Sequence, residues 1–135
     1  MKYLIFAIFL IFGCENRSLI KDSKDGNFVE FESAKCNECK MDISTKDHTA
    51  QLIEVGGRVY FFDDVGCMIL WIEKHKPNIK SEWIFTKDTK RYIKVENAKF
   101  IADEKSPMGY NFCGYESRKD GISYQDMKLK IIRGK

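Results

Sequence analysis

The sequence predicts an α+β fold in which a strand-strand-helix-strand unit is followed by a second, related unit rich in strands. Two observations predict this fold. Runs of β-branched and aromatic residues flank Gly56 and Gly57, a two-residue turn that hairpins favour, and indicate a hairpin over about residues 48–62. Apolar residues at helical spacing directly after it indicate a helix over about residues 64–76.

The predicted hairpin consists of strands over residues 48–55 and 58–62. Residues 28–31 precede it as a short strand or as a lead-in to the domain. A loop that contains the first two cysteines of the domain separates this segment from the hairpin. The sulfur-bearing loop is therefore expected just before the first strand.

The predicted helix has recognisable ends. Asp63 or Asp64 supplies its N-terminal cap, and Pro77 stops it. Basic residues stand in the last turn, where they complement the helix dipole. The apolar stripe consists of Val65, Met68, Ile69 and Ile72.

After Pro77 the sequence predicts more strand than helix. A short helical turn is expected at residues 123–127, and a closing strand is expected at residues 128–133. A structural duplication of the first unit would explain this arrangement, but no sequence repeat displays it directly. The other predicted strands cover residues 82–86, 92–95, 99–102 and 111–115.

The N-terminus has the pattern of an export signal. One positive charge is followed by an apolar run over residues 3–12 and by a small residue, Gly13. The run is far shorter than the ~20 residues that a membrane-spanning helix needs. Residues 11–14 resemble the bacterial lipobox, in which the cysteine, here Cys14, is lipidated and becomes the first residue of the mature chain. The alternative is an ordinary signal peptide that ends near a cysteine.

We therefore predict a lipoprotein signal peptide at residues 1–13, a flexible tether at 14–27 and a single domain at 28–135. The tether is polar and charged, which suits a segment that lifts a domain away from a membrane. The predicted location is the cell envelope, with the protein lipid-anchored to a membrane and facing the periplasm.

Charge and motifs exclude several functions. The chain has 23 basic and 20 acidic residues in an interspersed pattern, which gives no nucleic-acid interface. It has no nucleophile elbow, no phosphate loop and no pair of histidines on a helix. Its 2 histidines are too few for a three-histidine metal centre. We therefore expect a protein that is not an enzyme.

Apart from Cys14, the chain has cysteines at 36, 39, 67 and 113. An even number of cysteines in an exported protein permits disulfides, and these residues allow three pairings. The Cys-x-x-Cys spacing of Cys36 and Cys39 argues against a structural disulfide there, because so short a loop removes little entropy from the unfolded chain. This spacing is more typical of a redox pair or a metal site.

The segment from Cys36 to Met41 contains two thiols and one thioether. Cys39 and Met41 are two positions apart, and in an extended segment such side chains point the same way. Thiolate together with thioether favours Cu(I) over zinc. The alternative for Met41 is packing in the core, the usual role of methionine.

Two residues farther along the chain are further candidate ligands. Cys67 lies in the first turn of the predicted helix, where a thiolate is favoured, and the hairpin should bring it near the sulfur loop. It is a candidate third or fourth sulfur ligand, a disulfide partner for Cys36, or a small buried residue. Met108 lies in a Pro-Met-Gly turn and could complete a Cu(I) site across the two halves, unless it is simply a core or surface methionine.

The remaining residues with metal-binding side chains are weaker candidates. His48 is near the sulfur loop in sequence, but an isolated histidine is more often a surface residue than a ligand. His75 is interpreted as a partner of the helix dipole. Cys113 follows an aromatic residue in a predicted strand and is expected to be a buried thiol.

These motifs together resemble the NosL family of copper-binding lipoproteins, which serve the assembly of nitrous oxide reductase. The resemblance rests on Cys36-x-x-Cys39-x-Met41, on the hairpin end at residues 59–64 and on the turn at residues 106–109. It implies two related strand-strand-helix-strand units, Cu(I) bound through Cys39 and Met41, and delivery of copper to the reductase. Met108 is carried over as a further ligand.

The sequence departs from this family at Lys40, where the family often has glycine. Residues 62–67 also resemble the aromatic-then-cysteine pattern of small treble-clef-like metal domains, which supports Cys67 as a ligand and leaves zinc open as the metal.

We expect a membrane-anchored periplasmic metallochaperone for Cu(I), with nitrous oxide reductase or its assembly machinery as the copper acceptor. The expected metal ligands are Cys36, Cys39, Met41, Cys67 and Met108. One alternative is a thiol-disulfide redox protein that uses Cys36 and Cys39. Another is a structural zinc knuckle built from Cys36, Cys39, Cys67 and either His48 or Cys113.

Overall fold

The computed structural model describes residues 22–102 and 105–134, and none of the helices there is both long and apolar enough to cross a bilayer. The predicted signal peptide and Cys14 lie outside these residues. Mixed helices and antiparallel strands confirm the predicted α+β class. In chain order the elements are β1 (Ala50–Glu54), β2 (Val59–Phe62), α1 (Val65–His75), β3 (Ile79–Phe85), β4 (Tyr92–Lys94), a 3₁₀ turn (Val95–Asn97), β5 (Lys99–Ile101), β6 (Cys113–Tyr115) and α2 (Tyr124–Arg133).

An antiparallel sheet with strand order β2-β1-β3-β4 forms the larger part of the fold, and β5 and β6 pair separately. The β1–β2 hairpin forms where the sequence predicts it. Gly56 and Gly57 have φ angles of 109° and 101° in its turn, a left-handed region that glycine adopts without steric cost. Because β2 pairs only with β1 among the described strands, it is an edge strand, and its outer edge is free to accept hydrogen bonds from a loop.

Helix α1 packs on one face of this sheet. Its apolar stripe is buried against Leu52, Phe62 and Ile84, none of which is exposed to solvent. Burying side chains of this size contributes about 1.5–3 kcal/mol each. The start of α1 is therefore fixed rigidly relative to the end of β2.

The opposite face of the sheet is covered by the N-terminal segment. Residues 28–31 form no strand and are a lead-in, whose Phe28 packs against Trp83 with ring centroids 5.4 Å apart. Val29 exchanges two hydrogen bonds with the side chain of Gln51: its N–H donates at 2.9 Å, and its carbonyl accepts at 2.8 Å. The side-chain amide of Gln51 thus satisfies both backbone groups of Val29, which a neighbouring strand would otherwise do.

The prediction of a closing strand over residues 128–133 is wrong, because this segment belongs to helix α2. The predicted helical turn at 123–127 is the first part of that helix. Ser123 caps it by accepting a hydrogen bond from the N–H of Asp126 at 3.2 Å. Tyr124, Met127 and Ile131 recur at helical spacing and are buried in the main core. The β-branched residues near the chain end were therefore misleading.

The second unit repeats the order strand, strand, helix in β5, β6 and α2. It joins the first unit where the N–H of Lys87, just after β3, donates to the carbonyl of Gly114 at 2.9 Å. Helix α2 also packs against α1. Met108, in the turn at residues 106–109, also approaches the start of α1, because its N–H donates to Asp64 Oδ2 at 3.2 Å.

Candidate metal centre

Four potential ligands converge where β2 meets α1. Cys36 and Cys39 come from the loop before β1, and Asp63 and Cys67 come from the junction itself. One sulfur or carboxylate oxygen from each residue lies within 4.8 Å of all the others. The expectation that the hairpin returns Cys67 to the sulfur loop is therefore met, and these four residues are called the sulfur cluster below.

The sulfur loop is fastened to the free edge of β2. The N–H of Asn37 donates to the carbonyl of Phe61 at 2.8 Å, and the N–H of Phe61 donates to Asn37 Oδ1 at 2.9 Å. Inside the loop, the N–H of Cys36 donates to the carbonyl of Met41, and the N–H of Lys40 donates to the carbonyl of Cys36, both at 2.9 Å. These bonds close a tight turn that holds Cys36 and Cys39 beside Asp63.

Two adjacent aspartates at the helix start have different roles. Asp64 is the N-cap, and its Oδ1 accepts from the N–H of Gly66 at 3.0 Å. Asp63 faces the cysteines, with its Oδ2 accepting a hydrogen bond from the Cys39 thiol at 3.3 Å. Asp63 Oδ1 is buried and has no hydrogen-bond partner among the described residues. Since buried carboxylate oxygens are nearly always paired, this oxygen is suited to bind a cation.

The sequence analysis missed Asp63 as a site residue because it treated the Asp63-Asp64 pair as alternative caps. A helix needs only one N-cap side chain. The presence of a second aspartate next to the cap was therefore the sequence signal that one of the two had another role.

The three thiols of the sulfur cluster differ in acidity. A hydrogen bond from the Cys67 thiol lowers the pKa of Cys36 to about 6, in spite of burial. The same bond, together with burial, raises the pKa of Cys67. Burial is the main cause that raises the pKa of Cys39 to about 11. The cluster therefore stabilises one thiolate, on the fully buried Cys36.

Met41 reaches this region by a different route from the one predicted. Lys40 has a φ angle of 66°, so the backbone between Cys39 and Met41 is not extended, and the argument from alternating side chains is wrong. Met41 is 53% exposed and lines a cavity of about 100 Å³ together with Asp63 and Pro107. Met41 is therefore an exposed residue that shares a cavity with Asp63 of the cluster.

The turn that contains Met108 is docked on the start of α1. Asp64 Oδ2 accepts hydrogen bonds from the hydroxyl of Ser106 and, at 3.2 Å, from the N–H of Met108. Tyr110 lies over Gly66, where a Cβ atom would come within 2.1 Å of the tyrosine ring. Met108 is 39% exposed. The second half of the chain thus brings a second exposed methionine to the helix start, held there through its backbone N–H.

His48 and Cys113 contact each other and are not part of the sulfur cluster. Cys113 Sγ is 3.4 Å from His48 Nδ1. Cys113 is a buried thiol, as predicted, but neither residue supplies the fourth ligand that the zinc-knuckle alternative assigned to one of them; Asp63 takes that place. His75 stacks on Trp71 at the end of α1, with centroids 4.5 Å apart.

None of the four cysteines in the described part of the chain is in a disulfide. The three sulfurs of the cluster are therefore available as ligands.

Comparisons with known proteins give one informative similarity. No protein-family model matches the sequence, and no curated protein sequence matches it. Among solved structures, the copper chaperone NosL from Shewanella denitrificans matches with a TM-score of 0.59 and 14% identity, over 80% of this chain and 87% of that chain. The chain has a NosL-like fold.

A NosL-like fold is what the sequence motifs implied, and at 14% identity the similarity shows the fold alone. The chemistry must be argued from the residues. Thiolates select Cu(I), zinc and iron–sulfur clusters among biological metals, and a carboxylate broadens that choice toward harder ions. The sulfur cluster on this NosL-like scaffold is therefore able to hold a metal ion, and the two exposed methionines beside it are soft donors.

Proposed function

We propose that this protein is a Cu(I)-binding metallochaperone of the cell envelope that receives one copper ion and passes it to an acceptor protein. The observation that carries the proposal is the convergence of Cys36, Cys39, Cys67 and Asp63 within 4.8 Å at the start of α1. The NosL-like fold supports copper as the cargo, since a solved structure with a similar fold is that of a copper chaperone.

The proposed ligands are Cys39 and Met41, assisted by Cys36, Cys67 and Met108. Cys36 and Cys67 are at most 1% exposed, whereas Cys39 is partly accessible and both methionines are exposed. Thiolate and thioether ligands bind Cu(I) in preference to harder cations. Exposed ligands on one side of the ion suit a carrier, because an acceptor ligand can attack the metal there without dismantling the buried side.

Nitrous oxide reductase or its assembly machinery is the proposed acceptor. The motif resemblance and the NosL-like fold support this choice. Lipidation at Cys14 would anchor the protein to a membrane with the domain in the periplasm. Labelling cells with a lipid precursor tests the anchor: label should enter the wild-type chain and not a Cys14→Ser variant, and equal labelling would refute it.

A structural zinc site is the second candidate, and the unpaired oxygen of Asp63 favours it. A carboxylate beside three thiols fits zinc chemistry, and removal of a structural zinc should unfold the domain. A copper carrier should instead remain folded without metal. Circular dichroism of the metal-free chain separates these outcomes.

The thiol-disulfide alternative has less support. Cys36 is fully buried and so cannot present its thiolate to a protein substrate. Neither Cys36 nor Cys39 lies at a helix N-terminus; both are in the loop before β1.

The decisive experiment is an anaerobic titration of the purified, fully reduced chain with Cu(I) in competition with a chromogenic chelator. We expect the tightest Cu(I) site to be lost in Cys39→Ser and weakened about tenfold or more in Met41→Leu, since a soft donor is removed in each case. Met127→Leu is the matched control, because Met127 is buried in the core and the swap nearly conserves volume. Equal Cu(I) affinity in all four proteins would refute the proposal.

A further inference from the structure

The two residues between the cysteines of the sulfur loop each tie it to a different element. Asn37 exchanges two hydrogen bonds with Phe61 of β2, at 2.8 and 2.9 Å. Glu38 instead reaches α1, where its carboxylate accepts a hydrogen bond from the ammonium group of Lys74. The loop is therefore fastened at two points, one on the edge of the sheet and one on the helix.

Lys74 lies on the same face of α1 as Cys67. The two residues are seven positions apart, which is close to two helical turns and about 10 Å along the axis. The loop therefore meets one helix face twice: its cysteines approach Cys67 in the first turn, and Glu38 binds Lys74 in the last turn. The ion pair thus fixes where the loop sits along the helix that carries a candidate ligand.

Glu38 also contacts the sulfur cluster through its backbone. Its N–H and that of Cys39 donate hydrogen bonds to the sulfur of Cys36. Cys36 is fully buried, so these donors replace the water that would otherwise solvate its thiolate. One residue therefore has its side chain on Lys74 and its N–H on a candidate metal ligand.

The ion pair is accessible mainly from the side of the lysine. The side chain of Glu38 is 11% exposed, whereas that of Lys74 is 62% exposed. Water, salt or an acidic group of another protein can therefore compete for Lys74. A pair with one exposed partner has a small free energy and is weakened by salt. This attachment of the loop is therefore suited to break and re-form.

The loop divides the sulfur cluster into two pairs of ligands. Cys36 and Cys39 belong to the loop, whereas Asp63 and Cys67 belong to the junction of β2 and α1. Outward movement of the loop would separate one pair from the other and lower the number of ligands on a bound ion. Closure brings the four residues within 4.8 Å again.

We propose that Glu38 and Lys74 form a latch that keeps the sulfur loop closed and so sets the rate at which a bound ion is released. The Cu(I) cargo rests on the proposed function, whereas the latch rests on the contacts of these two residues. Both are positioning residues, since neither belongs to the sulfur cluster. When the pair breaks, the loop is freed from the helix, and an incoming ligand can take the ion from the opened cluster.

The first test measures loop opening in the metal-free, fully reduced chain by hydrogen exchange. The amides of Asn37 and Lys40 report on the loop, because they donate to the carbonyls of Phe61 and Cys36. Lys74→Met removes the charge and keeps an unbranched side chain with good helix propensity. We expect both amides to exchange about fivefold faster in this variant, the upper range for an ion pair of this exposure.

The second test measures anaerobic release of Cu(I) from the loaded chain into an excess of a chromogenic chelator. Lys74→Met should release the ion about fivefold faster than the wild type. Added salt should speed release from the wild type more than from the variant, because salt screens the ion pair. Glu38→Gln should match Lys74→Met, and combining the two should add no further acceleration. A merely structural role would not give a salt dependence that disappears with the pair.

Lys76→Met is the matched control. Lys76 follows α1 directly and pairs with Glu73 at 3.2 Å instead of with the loop, so its loss should change neither loop exchange nor Cu(I) release. Unchanged loop exchange in Lys74→Met, equal acceleration in both lysine variants, or additive effects of Glu38→Gln and Lys74→Met would overturn the latch. Failure of the wild type to bind Cu(I) would instead count against the proposed function, and hydrogen exchange of the metal-free chain would still decide on the latch.

Discussion

Cys39 Sγ lies 3.3 Å from Asp63 Oδ2, while the other oxygen of that carboxylate is buried without a hydrogen-bond partner among the described residues. The contact links the loop before β1 to the junction between β2 and α1. It also sets a hard donor beside three soft ones. The role of Asp63 is therefore the most direct test of which ion the sulfur cluster selects.

Asp63→Asn should discriminate between Cu(I) and zinc. We expect Zn²⁺ affinity to fall by about tenfold or more and Cu(I) affinity to fall by less, because Cu(I) draws its binding energy from sulfur. Competition titrations of the reduced chain with each metal measure both values. Asp42→Asn is the control, an exposed acid of the same region paired with Lys35. A larger loss for Cu(I) than for Zn²⁺ would contradict copper as the cargo.

Lys40→Gly should stabilise the protein. Lys40 has a φ angle of 66°, and glycine removes a left-handed cost that exceeds the extra entropy it gives the unfolded chain, for a net gain of roughly 0.5–1 kcal/mol. Urea unfolding measures the gain. Lys40→Ala, which keeps a Cβ atom, is the control and should give no stabilisation. Equal effects of the two substitutions would show that the lysine side chain, rather than the backbone, matters.

Gly66→Ala should destabilise the docked turn. The added Cβ would lie 2.1 Å from the ring of Tyr110, so the tyrosine and the turn before it must move, at a cost of about 1–3 kcal/mol. Thermal unfolding measures the loss. In a Tyr110→Ala background the clash is absent. Gly66→Ala should therefore cost less stability in that background than in the wild type. Simple additivity of the two free energies would contradict the close contact.

Glu82→Gln should stabilise the protein at neutral pH. Burial raises the pKa of Glu82, against a hydrogen bond from Tyr124 at 3.0 Å that lowers it. Between the unfolded pKa and this higher folded pKa, the folded state binds more protons, so stability falls as pH rises. Glutamine lacks this dependence and should gain roughly 0.5 kcal/mol at pH 7.

The advantage of Glu82→Gln should disappear below about pH 4, where glutamate is protonated in both states. Urea unfolding at pH 7 and below about pH 4, with tryptophan fluorescence as the signal, checks this dependence. Glu32→Gln, at an exposed position, should show no such change. A constant difference between wild type and Glu82→Gln at both pH values would refute the explanation.

Local signals made the first unit predictable. The glycine turn and the alternating strands specify the β1–β2 hairpin, and the Asp64 cap with an apolar stripe specifies α1. The meeting of Cys67 with the sulfur loop followed from these elements, because a hairpin returns the chain to where it began. Short-range pattern and chain geometry were sufficient there.

Other features depend on contacts that the sequence does not display. Helix α2 is stabilised by burying Met127 and Ile131 against distant elements, which overrides its β-branched residues. The positive φ of Lys40 comes from a turn closed by backbone hydrogen bonds, a geometry more typical of glycine. The pairing of His48 with Cys113 spans both units and has no local signature. The burial of α2 and the His48–Cys113 contact are tertiary effects, whereas the Lys40 turn is local but lacks the glycine that would have indicated it.

One carboxylate joins the two halves of the molecule. Asp64 Oδ1 holds the N–H of Gly66 in the first turn of α1, while Oδ2 holds the N–H of Met108 in the turn from the second unit. A docking protein that pulls Met108 outward therefore also strains the first turn of the helix, where Cys67 lies. The deuterium exchange rates of the Gly66 and Met108 amides should therefore rise and fall together when conditions change, because one opening event exposes both.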